Sequence, residues 1–299
     1  MKSYLSSFLT TFSYPEESRA PLLDGLDKLL ASPMRETFLS FLDAYEKDTH
    51  IRYNDIFKKM DEVSLSAEIH PYTGVFLLLA LWTKRAREVW REKGYSDELF
   101  HNTFLDLRYK IIECKLVKGV WGTFVADWYP RFFTAKIFAL GRLQFEMIPL
   151  GKCAKVGELT LDEKSPVLSM HIPRNGESMS PDKIEESFRM AKAFFRERFE
   201  KEGAPLLFHC HSWLLFPEHE HMLKEGSNIL SFARRFTLID QGDFNGYGSL
   251  WRYFDRDYNG DVDSLPTTNS LYRAYIDRIR QGLPIGWGEG IILHKKRKK

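Results

Sequence analysis

Apolar residues recur at helical spacing through the first third of the chain. Residues 21–30, 34–45 and 72–93 each carry the 3.6-residue periodicity of a helix with at least one buried face. A capping pattern that begins at Ser96 opens another helix. Because few strand-like runs interrupt this region, the pattern predicts an all-helical N-terminal domain over residues 1–119.

Beyond this domain, short apolar runs alternate with amphipathic segments. The aromatic-rich segment 121–138 predicts a helix that continues to the break at Gly141. Residues 140–149 alternate polar and apolar positions, as a half-buried strand does, and a second short strand is expected within residues 151–163. The predicted fold class is therefore α+β, with a mixed α/β domain over residues 120–299.

Residues 166–217 are the most informative segment, because they have the pattern of strand, polar loop, helix and strand. The loop starts at His171, and Ser180 followed by proline is typical of a helix N-terminus. Backbone N–H groups at a helix N-terminus bind phosphate well. Arg174 adds a positive charge and Gly176 allows close approach of the backbone, so the segment indicates a phosphate-bearing ligand.

The order of elements from Gly141 onward resembles the C-terminal half of GNAT-type N-acyltransferases. Three segments carry this resemblance: Gly-Arg-Leu-Gln-Phe-Glu at 141–146, His-Ile-Pro-Arg-Asn-Gly at 171–176 and Ser-Trp-Leu-Leu at 212–215. The order ends with two helices, expected at residues 219–235 and 265–280, and two strands, expected at residues 236–240 and 290–293. The helical first third is similar to the N-terminal domain that precedes a GNAT-like domain in some acyltransferase-like proteins.

The resemblance implies a central, mostly antiparallel twisted sheet and an acyl-coenzyme A co-substrate. In that superfamily a loop and a helix N-terminus hold the pyrophosphate, and the pantetheine arm lies where the next strand splays away. The loop here departs from the family pattern Gln/Arg-x-x-Gly-x-Gly/Ala, because only Gly176 stands where a glycine is expected. The residues to which the resemblance assigns cofactor binding are His171, Arg174, Asn175, Gly176, Ser212 and Asn228.

Two sets of polar residues are candidates for the chemistry of amine acylation, which needs a base to take the amine proton. Arg142, Gln144 and Glu146 alternate along their predicted strand and so share one face. We expect Glu146 to be the base, with Arg142 orienting it or the substrate. His209 and His211 share a face of a later strand, where either could act as base or proton shuttle. The alternatives are a solvated strand face and two structural histidines.

A cluster of histidines raises a different possibility. Four of the nine histidines fall between His209 and His221, which makes a metal-dependent hydrolase an alternative function. However, His219 and His221 would point about 200° apart on a helix, and we expect no metal. Residues 255–263 resemble the start of a calcium loop, but Pro266 stands where a bidentate glutamate is required.

Composition limits the classes of partner and the cellular compartment that we expect for this chain. The net charge of +2 gives no reason to expect nucleic acid, in spite of the basic tail at residues 294–299. The three cysteines are far apart, which favours a reducing compartment. The first residues lack the long apolar core of a signal peptide, and the apolar run at 75–82 is too short to span a membrane.

We therefore expect a cytoplasmic N-acyltransferase that uses acyl-CoA and an amine acceptor, without nucleic-acid or membrane partners and with the oligomeric state open. A non-catalytic protein that binds acyl-CoA or another partner through a GNAT-like fold is the first alternative.

Overall fold

The computed structural model describes residues 1–201, 205–244 and 246–293, so the basic tail at 294–299 lies outside the described residues. The chain divides into two compact units, Met1–Phe138 and the part from Ala139 onward. This division comes later than the predicted boundary at residue 119.

The later division has a physical reason in the aromatic side chains after residue 119. The Trp90 indole N–H donates to the Phe132 carbonyl oxygen at 2.9 Å, and the Phe133 ring lies 5.3 Å from the Tyr45 ring. These contacts hold the segment against the helices that precede it.

Six helices build most of the first unit: α1 (Lys2–Thr11), α2 (Glu16–Ala31), α3 (Arg35–Lys47), α4 (Tyr53–Ser66), α5 (Pro71–Glu92) and α6 (Asp97–Lys118). Helix α5 is the central one, because every residue from Gly74 to Thr83 is buried. Ser96 caps α6 by accepting the Leu99 N–H at 3.1 Å, as its sequence pattern predicted. Within the described residues no single helix is both long and apolar enough to cross a membrane, although α4 and α5, bent at 117°, meet that criterion as a pair.

The helix predicted over residues 121–138 is wrong. The segment contains a 3₁₀ turn (Ala126–Trp128), one short helix, α7 (Pro130–Phe133), and then the first strand, β1 (Ile137–Leu140). Ala135 has φ of +53°, a left-handed conformation that ends α7 before a longer helix can form.

From β1 onward the chain forms a six-stranded sheet in the order β1-β2-β5-β6-β8-β7 and a separate hairpin, β3-β4. The strands are β2 (Leu143–Pro149), β3 (Ala154–Val156), β4 (Leu159–Leu161), β5 (Pro166–His171), β6 (Leu207–Ser212), β7 (Thr237–Asp243) and β8 (Gly286–Leu293). Strands β5 and β6 are parallel, whereas β2-β5, β6-β8 and β7-β8 are antiparallel. The predicted α+β class and mostly antiparallel sheet are confirmed.

The helices of this unit differ from the predicted ones mainly in length. They are α8 (Pro181–Lys201), α9 (His219–Met222), α10 (Asn228–Ala233), α11 (Trp251–Phe254) and α12 (Ser270–Arg280). The single helix predicted over 219–235 is therefore two short ones, separated by a turn in which Gly226 has φ of +82°. Helix α12 starts later than predicted because Asn269 caps it, accepting the Tyr272 N–H at 2.9 Å.

The two faces of the sheet have different surroundings. Helix α8 covers one face, where the Phe188 ring lies 4.7 Å from Phe208. The other face is apolar at one end, where Val167, Leu207 and Ile291 pack with the residues of the β3-β4 hairpin. Because side chains alternate along each strand, this second face continues into Ser169, His209 and Glu289, where it becomes polar.

Strand β8 carries glycines on either side of Glu289. A Cβ atom on Gly288 would lie 2.2 Å from the Leu215 carbonyl oxygen, and one on Gly290 would lie 2.7 Å from the Phe236 Cβ atom. The backbone of β8 is therefore packed directly against its neighbours on the face opposite Glu289.

Candidate active site

The hydrogen-bond ladder between β5 and β6 is short. The register of this parallel pair covers two residue pairs and ends with Ser169 opposite His209. Strand β5 stays paired with β2 as far as His171, and β6 stays paired with β8 as far as Ser212. The ladder thus opens between β5 and β6, at the place where the resemblance puts the pantetheine arm.

The loop at residues 172–180 joins β5 to the N-terminus of α8 beside this opening. Gly176 has φ of +78°, which favours glycine, and Asn175 Oδ1 accepts a backbone N–H two residues further on at 3.0 Å. Asn228, the first residue of α10, donates from Nδ2 to Ser178 Oγ at 3.4 Å. The structure thus brings Asn228 to the loop with which the sequence analysis had grouped it.

Arg142 holds the backbone of the loop at residues 172–180. It lies in the two-residue turn between β1 and β2, not on β2, so its predicted place in the strand alternation is corrected. Its guanidinium donates to the carbonyl oxygens of Pro173 at 2.8 Å and Glu177 at 3.1 Å. These bonds fix the loop backbone, whereas a role in orienting Glu146 stays a prediction.

Arg174 forms an ion pair with Asp255, the residue that follows α11. Asp255 has φ of +60°, and both side chains are partly exposed. A phosphate that binds Arg174 would compete with the Asp255 carboxylate for the charge of the guanidinium. Ser212, the last residue of β6, accepts the Leu214 N–H at 3.2 Å and so caps the 3₁₀ turn that follows.

A row of buried polar residues crosses four strands on the face opposite α8. Glu146 on β2 lies opposite Ser169 on β5, which lies opposite His209 on β6. Glu289 on β8 completes what we call the polar row, through a hydrogen bond to His209. The side chains of Glu146 and His209 are only 6% and 5% exposed, so the alternative of a solvated face is wrong.

Each carboxylate of the polar row is paired with a histidine. His171 Nε2 lies 2.9 Å from Glu146 Oε1, so the residue that was assigned to the cofactor loop contacts the candidate base. His209 Nε2 lies 2.8 Å from Glu289 Oε1, and His209 Nδ1 lies 3.2 Å from Ser169 Oγ. Two acid–base pairs therefore lie on either side of Ser169.

Burial and neighbouring charges determine the protonation states of His209 and Glu289. Burial lowers the pKa of His209 below its usual value, against the opposing effect of Glu289. Burial acts to raise the pKa of Glu289, but hydrogen bonds from Lys152 and His209 outweigh it and leave that pKa lowered. At neutral pH the pair is thus a neutral imidazole beside a carboxylate.

Three residues of the site were not predicted from the sequence: Ser169, Glu289 and Lys152. Lys152 precedes β3 and donates to Glu289 Oε2 and, at 2.8 Å, to Asp240 Oδ2. Glu289 was detectable as a single acid within an apolar strand, between two glycines. Lys152 had no comparable signal, because its partners are distant in the chain.

The other predicted residues of β6 have different surroundings. His211 lies on the same face as His209 but is exposed, with its ring 4.4 Å from Trp287. Cys210 points to the opposite face, where burial raises the pKa of its thiol. A cysteine–histidine nucleophile within this strand is therefore excluded by geometry.

The histidine cluster does not form a metal site. His219 is buried, with Nε2 at 2.6 Å from the Tyr275 hydroxyl and Nδ1 at 3.4 Å from the Leu214 carbonyl oxygen. Among residues 1–201, 205–244 and 246–293, no three His, Cys, Asp or Glu side chains converge as metal ligands. The hydrolase alternative therefore lacks geometric support, and Asp255 of the calcium-like segment is paired with Arg174.

Comparisons with known proteins agree with this geometry. Two family models match in order: an N-acyltransferase N-terminal domain at residues 3–135 and a GNAT-like C-terminal domain at residues 137–292. A search of curated proteins returned no significant match.

Solved structures of acyltransferases are similar to the whole chain. One acyltransferase, in complex with decanoyl-CoA and teicoplanin, is 25% identical with a TM-score of 0.73, over 96% of this chain and 86% of that one. An acyltransferase mutant in complex with octanoyl-CoA is 25% identical with a TM-score of 0.73, over 97% of this chain and 87% of that one. An acyltransferase in complex with decanoyl-CoA shares the fold at 22% identity, with a TM-score of 0.63 over 97% of this chain and 99% of that one.

Proposed function

The chain belongs to the family in which an N-acyltransferase N-terminal domain is followed by a GNAT-like C-terminal domain, and we propose that it transfers an acyl group from acyl-coenzyme A to an amine. The observation that carries this proposal is the open ladder between β5 and β6, beside the partly buried Glu146–His171 pair. The acyl-CoA complexes of the similar acyltransferases support the co-substrate. The protein would act in the cytoplasm.

The pyrophosphate would bind at the loop of residues 172–180, against the N-terminus of the 21-residue helix α8. The N-terminal N–H groups and the helix dipole favour an anion there. Gly176 permits close approach, Asn228 reaches the loop, and Arg174 would exchange the Asp255 carboxylate for a phosphate. The pantetheine arm would then enter the opening beyond Ser169.

The reaction would be direct attack of the amine nitrogen on the thioester carbonyl carbon. The new C–N bond forms, the C–S bond breaks, and coenzyme A leaves as the thiol after gaining a proton. Glu146 would take the proton that the attacking amine loses, and the hydrogen bond to His171 would hold its carboxylate in place. His211, which is exposed on β6, is the other candidate for the group that takes the amine proton.

Medium-chain acyl groups are the first to test, because the similar acyltransferases were solved with octanoyl-CoA and decanoyl-CoA. One of those structures also contains teicoplanin. The panel of acceptors to be tested should therefore include a large amine-bearing molecule as well as small amines.

A non-catalytic acyl-CoA-binding protein is the second candidate. The ion pair of Arg174 with Asp255 favours it, because this pair neutralises the loop's positive charge. Thiol release with any amine would exclude this candidate.

Calorimetric titration with coenzyme A and with acetyl-, octanoyl- and decanoyl-CoA tests the proposal, followed by thiol-release assays against a panel of amines. Arg174→Ala should weaken binding by about 10- to 100-fold, the value of a charge-assisted hydrogen bond to phosphate. Arg256→Ala removes the same charge from an exposed position nearby and should leave binding unchanged. Absence of binding by the unmodified protein would contradict the proposal.

A further inference from the structure

The segment at residues 251–258 contains two arginines and four aromatic residues. It begins with helix α11, and the residue that follows this helix, Asp255, forms the ion pair with Arg174. Because Arg174 belongs to the loop at residues 172–180, the ion pair places the end of α11 at this loop. The part of coenzyme A that lies beyond the pyrophosphate would therefore meet this segment.

Two of the four residues of α11 anchor it in the interior. Tyr253 and Phe254 are buried in an apolar cluster that also contains Tyr275. The other two residues lie nearer to the surface, where Trp251 is half-buried and Arg252 is exposed. The buried pair thus fixes the backbone that presents Trp251 and Arg252 to solvent.

Trp251 lies on the side of α11 that carries Asp255. The Asp255 N–H donates to the Trp251 carbonyl oxygen at 3.1 Å, and residues four apart in a helical turn are neighbours on one face. Arg252 Cζ lies over the Trp251 ring, 4.3 Å from the ring centroid. An indole and a guanidinium are therefore stacked close to the ion pair of Arg174 with Asp255.

The chemistry of this stack matches the nucleotide end of coenzyme A. One ribose away from its pyrophosphate, coenzyme A carries an adenine ring and a 3′-phosphate. Adenine can stack on aromatic and guanidinium planes. A guanidinium that stacks through its face has its N–H donors in the plane of the group, where they can bind a phosphate in a bidentate manner.

We propose that Trp251 and Arg252 form the subsite for the 3′-phosphoadenosine of coenzyme A. The adenine adds to the stack of the two side chains, and the Arg252 guanidinium binds the 3′-phosphate. This inference rests on the proposed use of acyl-coenzyme A. It gives the protein a preference for coenzyme A over analogues that lack the 3′-phosphate.

Arg256 is the matched control for Arg252, because both are exposed arginines of the same segment. Arg256 Nη1 donates to the Ser264 carbonyl oxygen at 3.0 Å, which holds this guanidinium against its own loop. We therefore assign the 3′-phosphate to Arg252 and not to Arg256.

Calorimetric titration with coenzyme A and with dephospho-coenzyme A, which lacks only the 3′-phosphate, tests the subsite. The unmodified protein should bind coenzyme A about 10- to 100-fold more tightly, as expected for a hydrogen bond between two charged groups. Arg252→Gln should remove this preference, because it weakens the binding of coenzyme A far more than that of the analogue. Arg256→Gln should keep the preference.

Two further positions separate this subsite from the pyrophosphate site and from effects on folding. Arg174→Ala should weaken both ligands by a similar factor, because both contain the pyrophosphate. Trp251→Ala should weaken both by about 5- to 100-fold, as for the loss of one stacked base. Trp251→Phe keeps an aromatic ring and should bind both ligands within a few-fold of the unmodified protein.

The outcomes distinguish this inference from the proposed function. Equal affinity of the unmodified protein for the two ligands would overturn the 3′-phosphate subsite and leave the proposed function in place. A preference that survives in Arg252→Gln would overturn the role of Arg252, and unchanged binding by Trp251→Ala would overturn the stacking of adenine. Absence of binding of either ligand to the unmodified protein would contradict the proposed function and this inference together.

Discussion

The two compact units bury polar groups in different ways. In the helical unit the buried side chains of Trp90 and Tyr45 donate to backbone carbonyls, those of Phe132 and Phe133. Its buried carboxylates, Asp106 and Glu113, pair with Tyr129 and Lys110. In the α/β unit, by contrast, the buried carboxylates of the polar row are paired with histidines.

This difference indicates a difference in role. A bond to a backbone carbonyl fixes a side chain in one arrangement, because the carbonyl has no proton to exchange. A histidine beside a carboxylate can change its protonation state while its geometry stays the same. We therefore expect substitutions in the helical interior to change stability and substitutions in the polar row to change turnover.

The largest effect is expected from Trp90→Ala. The side chain is fully buried, and its ring contacts Tyr95, Phe100, Phe104 and Phe138. Its loss should lower the free energy of unfolding by about 3–5 kcal/mol, measured by urea denaturation. Leu65→Ala, at a position that is 65% exposed, is the matched control and should change it by less than about 0.5 kcal/mol. A loss below 1 kcal/mol for Trp90→Ala would show that this interior repacks readily.

Next in size is the pH dependence of stability through His219. Burial lowers the pKa of His219 to about 4 in the folded chain, from 6.5. The unfolded chain therefore binds the proton first as the pH falls, so stability is full above pH 6.5 and declines towards pH 4. The loss should be about 3 kcal/mol. It is measurable by denaturant unfolding at several pH values.

His219→Gln should flatten this slope even if it lowers stability overall. His221→Gln, at an exposed position two residues further on, should leave the slope in place. If His219→Gln kept the full slope, another buried group would have to account for the acid sensitivity.

Glu146→Gln should separate turnover from stability most clearly. We expect turnover to fall by about a hundredfold or more, while the free energy of unfolding changes by about 1 kcal/mol or less because the side-chain volume is kept. Thiol-release kinetics and urea denaturation give the two values. Glu158→Gln, exposed in the β3-β4 turn, controls for the change in charge. Equal losses of stability and turnover would remove the contrast between the units.

The smallest effect is expected at the loop. Asp255→Asn removes the carboxylate that pairs with Arg174 and should tighten coenzyme A binding by a few-fold, since a partly exposed ion pair is worth about 1 kcal/mol or less. Asparagine also suits the left-handed backbone at this position. Calorimetry should show no such gain for Asp257→Asn, two residues along. Weaker coenzyme A binding by Asp255→Asn would mean that the ion pair holds the Arg174 side chain in the position that binds phosphate.

Local patterns could predict most of the sheet elements and the face of the candidate side chains that lie on strands. The alternation at Gln144 and Glu146, and again at His209 and His211, is a property of neighbouring residues and was confirmed by the register. Strand β1 was missed because a four-residue apolar run is as compatible with a buried helix as with a strand. Arg142 was misplaced by one position, since Gly141 forms the turn together with it.

The long-range part of the site could not be predicted in the same way. His209 and Glu289 are 80 residues apart in the chain, and their contact depends on the pairing of β6 with β8. Lys152 reaches Glu289 over 137 residues, from a loop without regular structure. No local periodicity contains such pairings, because they are set by the order of strands in the sheet.

The glycines beside Glu289 have a consequence for how this chain can vary. Any side chain at Gly288 or Gly290 would have to displace backbone or buried atoms on the α8 side of the sheet, and β8 would shift with it. The carboxylate between them would then move relative to His209. In a library of all single substitutions, we expect these two positions to tolerate as little change as Glu289 itself, although neither has a side chain that could take part in a reaction.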